Sequence, residues 1–327
     1  MNRDIKWGII GLGGIANKFA ADLLLVENCT LEAVASRSIA KSEAFSEKYN
    51  ATQFYGSYEE LVQNNLIDIV YIATPHNSHE RYTILALEHK KAVLCEKPFA
   101  MNKKQVFNMI EASKKNQVFL MEAMWTRFIP SILEIKKRID EGEIGELKYI
   151  NADFSFKANT SIQRIYDKKL GGGSLLDIGI YPVFLAYLLL GSPTNINANA
   201  HFYDSGADSQ LAMLFNYKNA HAVLFSSFNS ISKREAKISG TLGEIRIDMP
   251  WNETDSFSIQ KNNEESTFIS LPTIGRGYAH QIIECNTCLQ QKKIESKIWS
   301  HQNSLELITL LDTIRKKINL VYTEDTN

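Results

Sequence analysis

The feature that most constrains the fold is a short glycine-rich segment near the start of the chain. An apolar run at 6–10 precedes it and an amphipathic run at 16–25 follows it. In such a strand–turn–helix setting, glycines permit a tight turn and a close approach to a pyrophosphate, and a final small residue lets helix and strand pack closely. We therefore predict a dinucleotide-binding turn, with a plain glycine-rich turn as the alternative. Its residues match G-x-G-x-x-A and are Gly11, Leu12, Gly13, Gly14, Ile15 and Ala16.

The hydrophobic pattern changes character near residue 122. Before it, apolar runs at 6–10, 30–36, 69–73, 92–95 and 118–121 alternate with amphipathic segments. This alternation predicts an α/β Rossmann domain with a parallel sheet at 1–123. From 195 to 269, short alternating runs separated by Gly, Asn and Pro indicate antiparallel strands. We predict an α+β domain at 124–327 with a large, mainly antiparallel, open-faced sheet, because no second helical layer is visible for it.

The segment after the second predicted strand bears on the choice of cofactor. An NAD site usually places Asp or Glu there to bind the ribose 2′-hydroxyl. This chain has Ser36, Arg37 and Ser38 instead. A guanidinium pairs well with a 2′-phosphate, and the two serines add hydroxyl donors. We therefore expect NADP rather than NAD, with Arg37 as a residue that only caps the sheet edge as the alternative.

Composition and charge exclude several classes of protein. The 327 residues carry a formal net charge of -1, which does not favour nucleic acid as a partner. No apolar run reaches the roughly 18 residues of a membrane span, and no signal peptide is visible, so we expect no membrane partner. The four cysteines do not form a disulfide framework, which favours a cytoplasmic location. The C-x-x-C pair Cys285 and Cys288 is interpreted as incidental.

Two further motifs follow predicted strands. One contains Ala73, Thr74, Pro75, His76 and His79, and the other is Cys95-Glu96-Lys97-Pro98. Ligands of open α/β sheets bind at the carboxyl ends of strands. The spacing of His76 and His79 raises the alternative of a metal site, but no third ligand is evident and we expect no metal. The residues predicted here to contact the cofactor are Thr74, Pro75, His76, His79, Glu96 and Lys97.

These motifs, together with the segment GGGSLLDIG at 171–179, resemble those of the Gfo/Idh/MocA oxidoreductase family over essentially the whole chain. Two further features resemble one branch of that family, the dimeric dihydrodiol dehydrogenases and the NADP-dependent D-xylose dehydrogenases. They are the segment EAMWTRF at 122–128 and Tyr181, which stands where most members have His. The resemblance implies oxidation of a carbinol of a sugar, cyclic polyol or trans-dihydrodiol. It also implies a homodimer or a dimer of dimers.

The residues themselves suit that chemistry, since hydride transfer to a nicotinamide needs a group that takes the alcohol proton. Tyr181 is the candidate base. An unperturbed tyrosine has a pKa of about 10, which a nearby ammonium lowers, and Lys97 is the expected source. Asp177 lies four residues before Tyr181, so on a helix both face one side. The predicted catalytic residues are Lys97, Asp177 and Tyr181, and the predicted substrate contacts are Trp125, Arg127, Phe154, Asp177 and Tyr181.

Alternatives remain open for these residues and for the whole protein. Asp177 is also explained as a first-turn helix charge, Tyr181 and Trp125 as core residues, and Arg127 as half of an ion pair. An NAD-dependent inositol or polyol dehydrogenase is the nearest rival function. A non-catalytic, NADP-binding sugar sensor is the more distant one, and the complete set of Lys97, Asp177 and Tyr181 argues against it.

Overall fold

The first part of the chain builds a six-stranded sheet in which every pair of neighbouring strands is parallel. The structure, a computed structural model, describes residues 3–159 and 161–325. The sheet order is β3-β2-β1-β4-β5-β6. The strands are β1 (Ile5–Ile10), β2 (Cys29–Ala35), β3 (Gln53–Tyr55), β4 (Ile69–Ile72), β5 (Ala92–Glu96) and β6 (Leu120–Ala123).

Five helices connect these strands, and local sequence explains where several of them begin and end. Ser38, Ser57 and Asn102 cap helix N-termini, since each side chain accepts a main-chain N–H three residues ahead. Asn50 and Gln117 end two helices in the left-handed conformation. The predicted Rossmann domain is confirmed. Its helices are α1 (Gly14–Leu23), α2 (Ile39–Tyr49), α3 (Tyr58–Gln63), α4 (His79–Glu88) and α5 (Lys103–Asn116).

The second sheet has eight strands in the order β14-β13-β12-β11-β7-β10-β9-β8. Its neighbours are antiparallel except for the parallel pair β7–β10. The predicted mainly antiparallel sheet is therefore confirmed. Its strands are β7 (Leu147–Ser155), β8 (Asn195–Phe202), β9 (Asp208–Asn216), β10 (His221–Ser227), β11 (Ala236–Gly240), β12 (Gly243–Ile247), β13 (Ser256–Lys261) and β14 (Thr267–Ser270).

One face of this sheet packs against an apolar helix and the other is open. The remaining helices are α6 (Pro130–Asp140), α7 (Gln163–Tyr166), α8 (Ile180–Leu190), α9 (Tyr278–Gln290) and α10 (His301–Lys317). Helix α8 is buried on all sides from Ile180 to Tyr187 and contacts β7 and β10. On the opposite face Tyr149, Leu214 and Val223 are 36%, 38% and 40% exposed.

The chain forms two compact units whose limits differ from the predicted boundary at 123/124. The first unit contains residues 3–128 and 274–305, and the second contains 129–273 and 306–325. The returning segment is held inside the first unit by long-range bonds. Trp7 Nε1 donates to Asn286 Oδ1 over 3.1 Å, and the N–H of Tyr278 donates to Asp22 Oδ2 over 2.8 Å. No local sequence pattern indicates these contacts, so the return of residues 274–305 to the first unit was not predicted.

The helical segment Lys168–Leu190 meets the length and composition of a membrane-spanning helix. Such a segment was not predicted, because its apolar part alone is short. Of its most apolar window, 78% is buried inside the protein. That degree of burial is typical of a core helix.

Candidate functional site

The turn between β1 and α1 has the geometry of an anion-binding cradle. Gly11 has a φ of +88°, and a Cβ there would lie 2.7 Å from the carbonyl oxygen of Ala73, so this position requires glycine. At Gly13 and Gly14 a Cβ would meet nothing within 4 Å. Gly13 caps α1 without a side-chain bond, and the first turn of α1 has no acidic residue. The turn therefore leaves open space beside main-chain N–H groups, which fits a pyrophosphate.

This turn lies where the strand order reverses. β2 and β4 pair with opposite sides of β1, which makes the carboxyl end of β1 the crevice in which open α/β sheets bind ligands. Ala16 is fully buried and Leu12 is 4% exposed, so both pack into the protein rather than line the crevice. Ile15 is partly exposed. The six predicted residues thus form one continuous turn at the carboxyl end of β1.

The segment after β2 presents a cation and no acid. Arg37 is exposed. The Ser38 side chain accepts the N–H of Lys41 at 3.4 Å, and the N–H of Ser38 donates to Ser36 Oγ at 3.3 Å. Burial raises the pKa of Tyr58, and the nearby Arg37 opposes that rise. The Ser36 and Ser38 side chains thus stabilise the turn by hydrogen bonds, whereas the guanidinium of Arg37 lies at the surface.

His79 ties together the loops that follow β4 and β5. It is fully buried, and its Nε2 and Nδ1 lie 2.9 Å from the carbonyl oxygens of Thr74 and Pro98 respectively. Burial lowers the pKa of His79, and its main-chain hydrogen bonds oppose that shift. Both ring nitrogens are directed at main-chain oxygens. His76 is partly exposed, with its ring centroid 5.7 Å from that of His79, and Pro75 is exposed.

The residues Glu96, Lys97, Pro98 and Phe99, here called the Lys97 corner, form a tightly held turn with a cis Lys97–Pro98 bond. The buried Tyr71 hydroxyl donates to Glu96 Oε1. The N–H of Lys97 donates to Glu96 Oε2 at 3.2 Å. These bonds fix the backbone that carries the Lys97 side chain.

Glu122, on β6, holds the far end of the Lys97 corner. It is 2% exposed, and the N–H of Phe99 donates to its Oε1 at 3.1 Å. Trp299 Nε1 donates to its Oε2 at 3.0 Å. Burial raises the pKa of Glu122, against the hydrogen-bond donors and the charge of Lys97, which lower it. Glu122 was predicted only as part of the segment at 122–128 and not as a site residue, although an acid directly after the apolar run at 118–121 was a signal.

Trp125 and Arg127 lie just after β6. Trp125 is 3% exposed and stacks on Tyr278, with ring centroids 4.5 Å apart. The N–H of Arg127 donates to the Met124 carbonyl at 2.8 Å, and its side chain is partly exposed. The stack joins Trp125 to Tyr278 of the returning segment, which was not predicted as a site residue.

In the second unit, a buried carboxylate organises the glycine-rich turn before Tyr181. Asp208 Oδ2 accepts Leu175 N–H at 2.7 Å and Ser174 Oγ at 2.9 Å. Gly173 has a φ of +129°, and a Cβ there would lie 2.1 Å from Asp208 Oδ1. Burial raises the pKa of Asp208 to about 6. Sequence reasoning missed Asp208, which lies at the start of a strand with no motif around it.

The predicted substrate residues of this unit lie along the next helical stretch. Asp177 lies in a π-helical turn, Leu175–Gly179, and pairs with Arg164 at 3.2 Å. The ideal α-helical spacing between Asp177 and Tyr181 is therefore not kept. Tyr181 is 5% exposed, and its ring centroid lies 5.4 Å from that of Phe154 on β7. Lys97 belongs to the first unit, whereas Asp177, Tyr181 and Phe154 belong to the second.

The histidines and cysteines in the described part of the chain do not form a metal-binding cluster. Among residues 3–159 and 161–325, no three or more of His, Cys, Asp and Glu are grouped so that they could hold a metal ion. Cys285 and Cys288 are both buried free thiols. Burial raises the pKa of Cys288 to about 12 and that of Cys285 well above its usual value, so both thiols stay protonated.

Known families match both sheets of the chain in part or in full, and relatives match over 98% of its length. Residues 5–124 match the oxidoreductase family GFO/IDH/MocA with its NAD-binding Rossmann fold, and residues 132–246 match the GFO/IDH/MocA C-terminal domain. The chain is 35% identical to trans-1,2-dihydrobenzene-1,2-diol dehydrogenase of Danio rerio, over 98% of this chain and 99% of that protein.

The names of two other relatives include the cofactor NADP+. The chain is 32% identical to scyllo-inositol 2-dehydrogenase (NADP+) of Bacillus subtilis, over 98% of this chain and 99% of that protein. It is 30% identical to D-xylose 1-dehydrogenase (NADP+) of Hypocrea jecorina, over 98% and 93% respectively. A solved 3-ketoreductase from Actinomadura kijaniata, in complex with NADP and TDP-benzene, has a TM-score of 0.88 at 23% identity, over 97% of this chain and 98% of that one. That likeness shows the fold.

Proposed function

Because this chain belongs to the GFO/IDH/MocA oxidoreductase family, as its motifs indicated, we propose that it oxidises a carbinol of a sugar, cyclic polyol or trans-dihydrodiol with NADP as hydride acceptor. The observation that carries the proposal is the open cradle at Gly13 and Gly14, at the uncapped N-terminus of α1. The substrate class is supported by the names of the relatives that match over nearly their full length.

The cofactor would be held by this chain's own residues in the first unit. The pyrophosphate would accept hydrogen bonds from N–H groups at the start of α1. The exposed Arg37 would pair with the 2′-phosphate. The loops after β4 and β5, with Thr74, Pro75, His76 and the Lys97 corner, would border the nicotinamide. When bound, the cofactor supplies the acceptor for the hydride that leaves the carbinol carbon.

The proton of the substrate hydroxyl requires an acceptor from the protein. The Lys97 ammonium would favour the phenolate form of Tyr181, which then takes the hydroxyl proton as general base. As the carbonyl forms, Lys97 would also stabilise negative charge that develops on its oxygen. Asp177, oriented by Arg164, would accept a hydrogen bond from a second hydroxyl of the substrate. Trp125, Arg127 and Phe154 would provide the remaining contacts with substrate.

The first experiment follows reduced nicotinamide absorbance with NADP, and separately with NAD, across aldopentoses, aldohexoses, inositols and trans-dihydrodiols. We expect turnover with NADP and one substrate class. Tyr181→Phe and Lys97→Met should each lower kcat by about 10² to 10⁴. Tyr187→Phe is the matched control, because Tyr187 lies on the same helix and its hydroxyl donates to Glu306 at 2.5 Å. Full activity of both catalytic variants would refute the assignment, and NADPH binding without turnover would favour a non-catalytic binding protein.

Preference for NADP rests on Arg37 and is tested by binding alone. We expect Arg37→Leu to weaken NADPH binding by at least about tenfold, since a charge-assisted pair is lost. NADH binding should change little. Arg81→Leu, at another exposed arginine, on α4, is the control and should leave both affinities unchanged. Equal affinity of the unmodified protein for NADH and NADPH would contradict the proposal and favour the NAD-dependent polyol dehydrogenase.

We also propose that a second copy of the chain covers the open face of the eight-stranded sheet, giving a dimer or a dimer of dimers. Val223 and Leu214 are opposite each other in register on this face and are both partly exposed, although apolar. Val223→Asp should reduce the mass found by light scattering to that of one chain. Glu43→Lys, an exposed change on α2, should not. A single-chain mass for the unmodified protein at micromolar concentration would rule the dimer out.

We also propose that the protein is located in the cytoplasm. Its support is that all four cysteines are free thiols, which suits a reducing compartment. Cell fractionation with an antibody against the chain tests it, and recovery outside the cytoplasmic fraction would contradict it.

A further inference from the structure

Three consecutive glycines, Gly171–Gly173, precede the helical stretch that carries Asp177 and Tyr181. Glycine adopts many backbone conformations, so its own preferences do not fix how the peptide groups of such a run are oriented. All three glycines are buried, and Gly171 and Gly173 have φ angles of +76° and +129°. Contacts from other segments therefore decide the orientation of these peptide groups.

The peptide group between Gly172 and Gly173 is held at both of its polar ends. Its carbonyl oxygen, on Gly172, accepts the Tyr322 hydroxyl at 2.8 Å. Its N–H, on Gly173, donates to the Ile165 carbonyl at 2.9 Å. Tyr322 is 1% exposed, and burial raises its pKa well above the usual value, so the hydroxyl stays protonated and donates. This peptide group thus joins Tyr322 to the segment that contains Ile165.

Both members of the Arg164–Asp177 ion pair are attached to this peptide group or to the one after it. Arg164 directly precedes Ile165, whose carbonyl accepts the N–H of Gly173. On the other side, the N–H of Asp177 donates to the Gly173 carbonyl at 3.4 Å. The two side chains meet at 3.2 Å, and the Asp177 side chain is 15% exposed. The orientation of the glycine peptides therefore bears on where both members of the pair lie.

The segment that carries Tyr322 is itself anchored. Arg315, on α10, is 4% exposed and donates to Asp325 Oδ2 at 2.6 Å. The N–H of Tyr322 donates to the same oxygen at 2.9 Å. The guanidinium carbon of Arg315 also lies 5.3 Å from the centroid of the Tyr322 ring. The ring is thus held in place, and its hydroxyl reaches Gly172 from a fixed support.

We propose that Tyr322 is a positioning residue for substrate binding: its hydroxyl fixes the peptide group between the two glycines and thereby keeps the Arg164–Asp177 pair where Asp177 accepts a substrate hydroxyl. This inference rests on the proposed role of Asp177. Without the Tyr322 hydroxyl, the glycine run gains freedom to reorient, and substrate affinity falls. Cofactor affinity stays the same, because the cradle at Gly13 and Gly14 belongs to the first unit.

The test measures KM and kcat for the substrate that turns over in the panel, and Kd for NADPH, in Tyr322→Phe. We expect KM to rise about tenfold, the worth of one hydrogen bond to a charged acceptor, while kcat and the NADPH Kd stay within about twofold. Tyr217→Phe is the matched control and should leave KM unchanged. The Tyr217 hydroxyl also donates to a glycine carbonyl of the second unit, that of Gly191, at 3.3 Å.

A double variant separates positioning from a general loosening of the unit. If Tyr322 acts through Asp177, Asp177→Asn should raise KM by itself, and adding Tyr322→Phe should raise it little further. Full multiplication of the two effects would show that Tyr322 is merely structural and would overturn the inference. All variants are compared at a temperature at which thermal unfolding shows each of them to be folded.

The outcomes distinguish this inference from the function on which it rests. If the unmodified protein turns over no member of the panel, or if Asp177→Asn leaves KM unchanged, the proposed role of Asp177 fails and the inference fails with it. If Asp177→Asn raises KM but Tyr322→Phe leaves it unchanged, the inference fails alone. Failure of Tyr322→Phe to fold would also overturn the inference, because the hydroxyl would then support the whole unit rather than one peptide group.

Discussion

Two buried carboxylates, one in each unit, hold the backbone beside the proposed catalytic residues, and they differ in how they are compensated. Glu122 has donors on both oxygens, and burial raises its pKa while these donors and the charge of Lys97 lower it. Asp208 receives Ser174 and Leu175 on Oδ2, whereas its Oδ1 has no hydrogen-bond partner within the described residues.

The difference lies in what opposes the effect of burial on each carboxylate. At Glu122 the opposing groups include a cation, Lys97, beside the hydrogen-bond donors. Asp208 has only hydrogen-bond donors to oppose its burial, and its pKa rises to about 6. Its carboxylate therefore shapes a turn at some cost in stability above that pH.

The largest effect is expected from Gly173→Ala. The new Cβ would lie 2.1 Å from Asp208 Oδ1, in backbone with a φ of +129°. We expect a loss of about 3 kcal/mol or more in the free energy of unfolding, measured with urea. Gly14→Ala is the control, because a Cβ there meets nothing within 4 Å and stability should hold. Adding Asp208→Ser should recover part of the loss, and no recovery would show that the carboxylate is not the obstacle.

The second effect is a pH dependence that belongs to Asp208. Its folded pKa of about 6 exceeds the ordinary value of 3.8, so the folded protein binds more protons between these values. Stability from this group is full below the ordinary pKa and is lost as pH rises through about 6, by about 3 kcal/mol in total. In Asp208→Asn this decline should disappear from unfolding curves measured between pH 4 and 7. The exposed Asp204→Asn should keep it, and an unchanged decline in Asp208→Asn would assign it to other groups.

The smallest effects come from removing one hydroxyl in each unit. Tyr71→Phe deletes the donor to Glu96, and Tyr322→Phe deletes the 2.8 Å bond to the Gly172 carbonyl. Each should cost about 1 kcal/mol of stability, with a larger cost for Tyr71 because its acceptor is charged. The double variant should be additive, since the two bonds lie in different units. A larger loss of stability for Tyr322→Phe than for Tyr71→Phe would contradict this expected order.

Much of the site was predictable where its cause is local. The turn from Gly11 to Ala16 depends on glycine conformation and on the strand and helix next to it, and the structure has both. The strand β3 was not predicted, because it has only three residues, none of them buried, and these show no hydrophobic period. The pairing of Asp177 with Tyr181 was predicted from α-helical spacing, but a π-helical turn intervenes. That turn depends on how the segment packs rather than on its own propensities.

The sequence by itself determined the parallel and antiparallel sheets, the glycine-rich turn and the family, because hydrophobic period, glycine spacing and motif order act over a few residues. Only the tertiary structure decided that residues 274–305 return to the first unit, that Glu122 meets Trp299 across 177 residues of chain, and that Asp208 shapes a turn 34 residues earlier. The physical reason is that a buried charge selects its partners by proximity in space. A sequence shows that such a charge exists, whereas only the folded chain brings its donors to it.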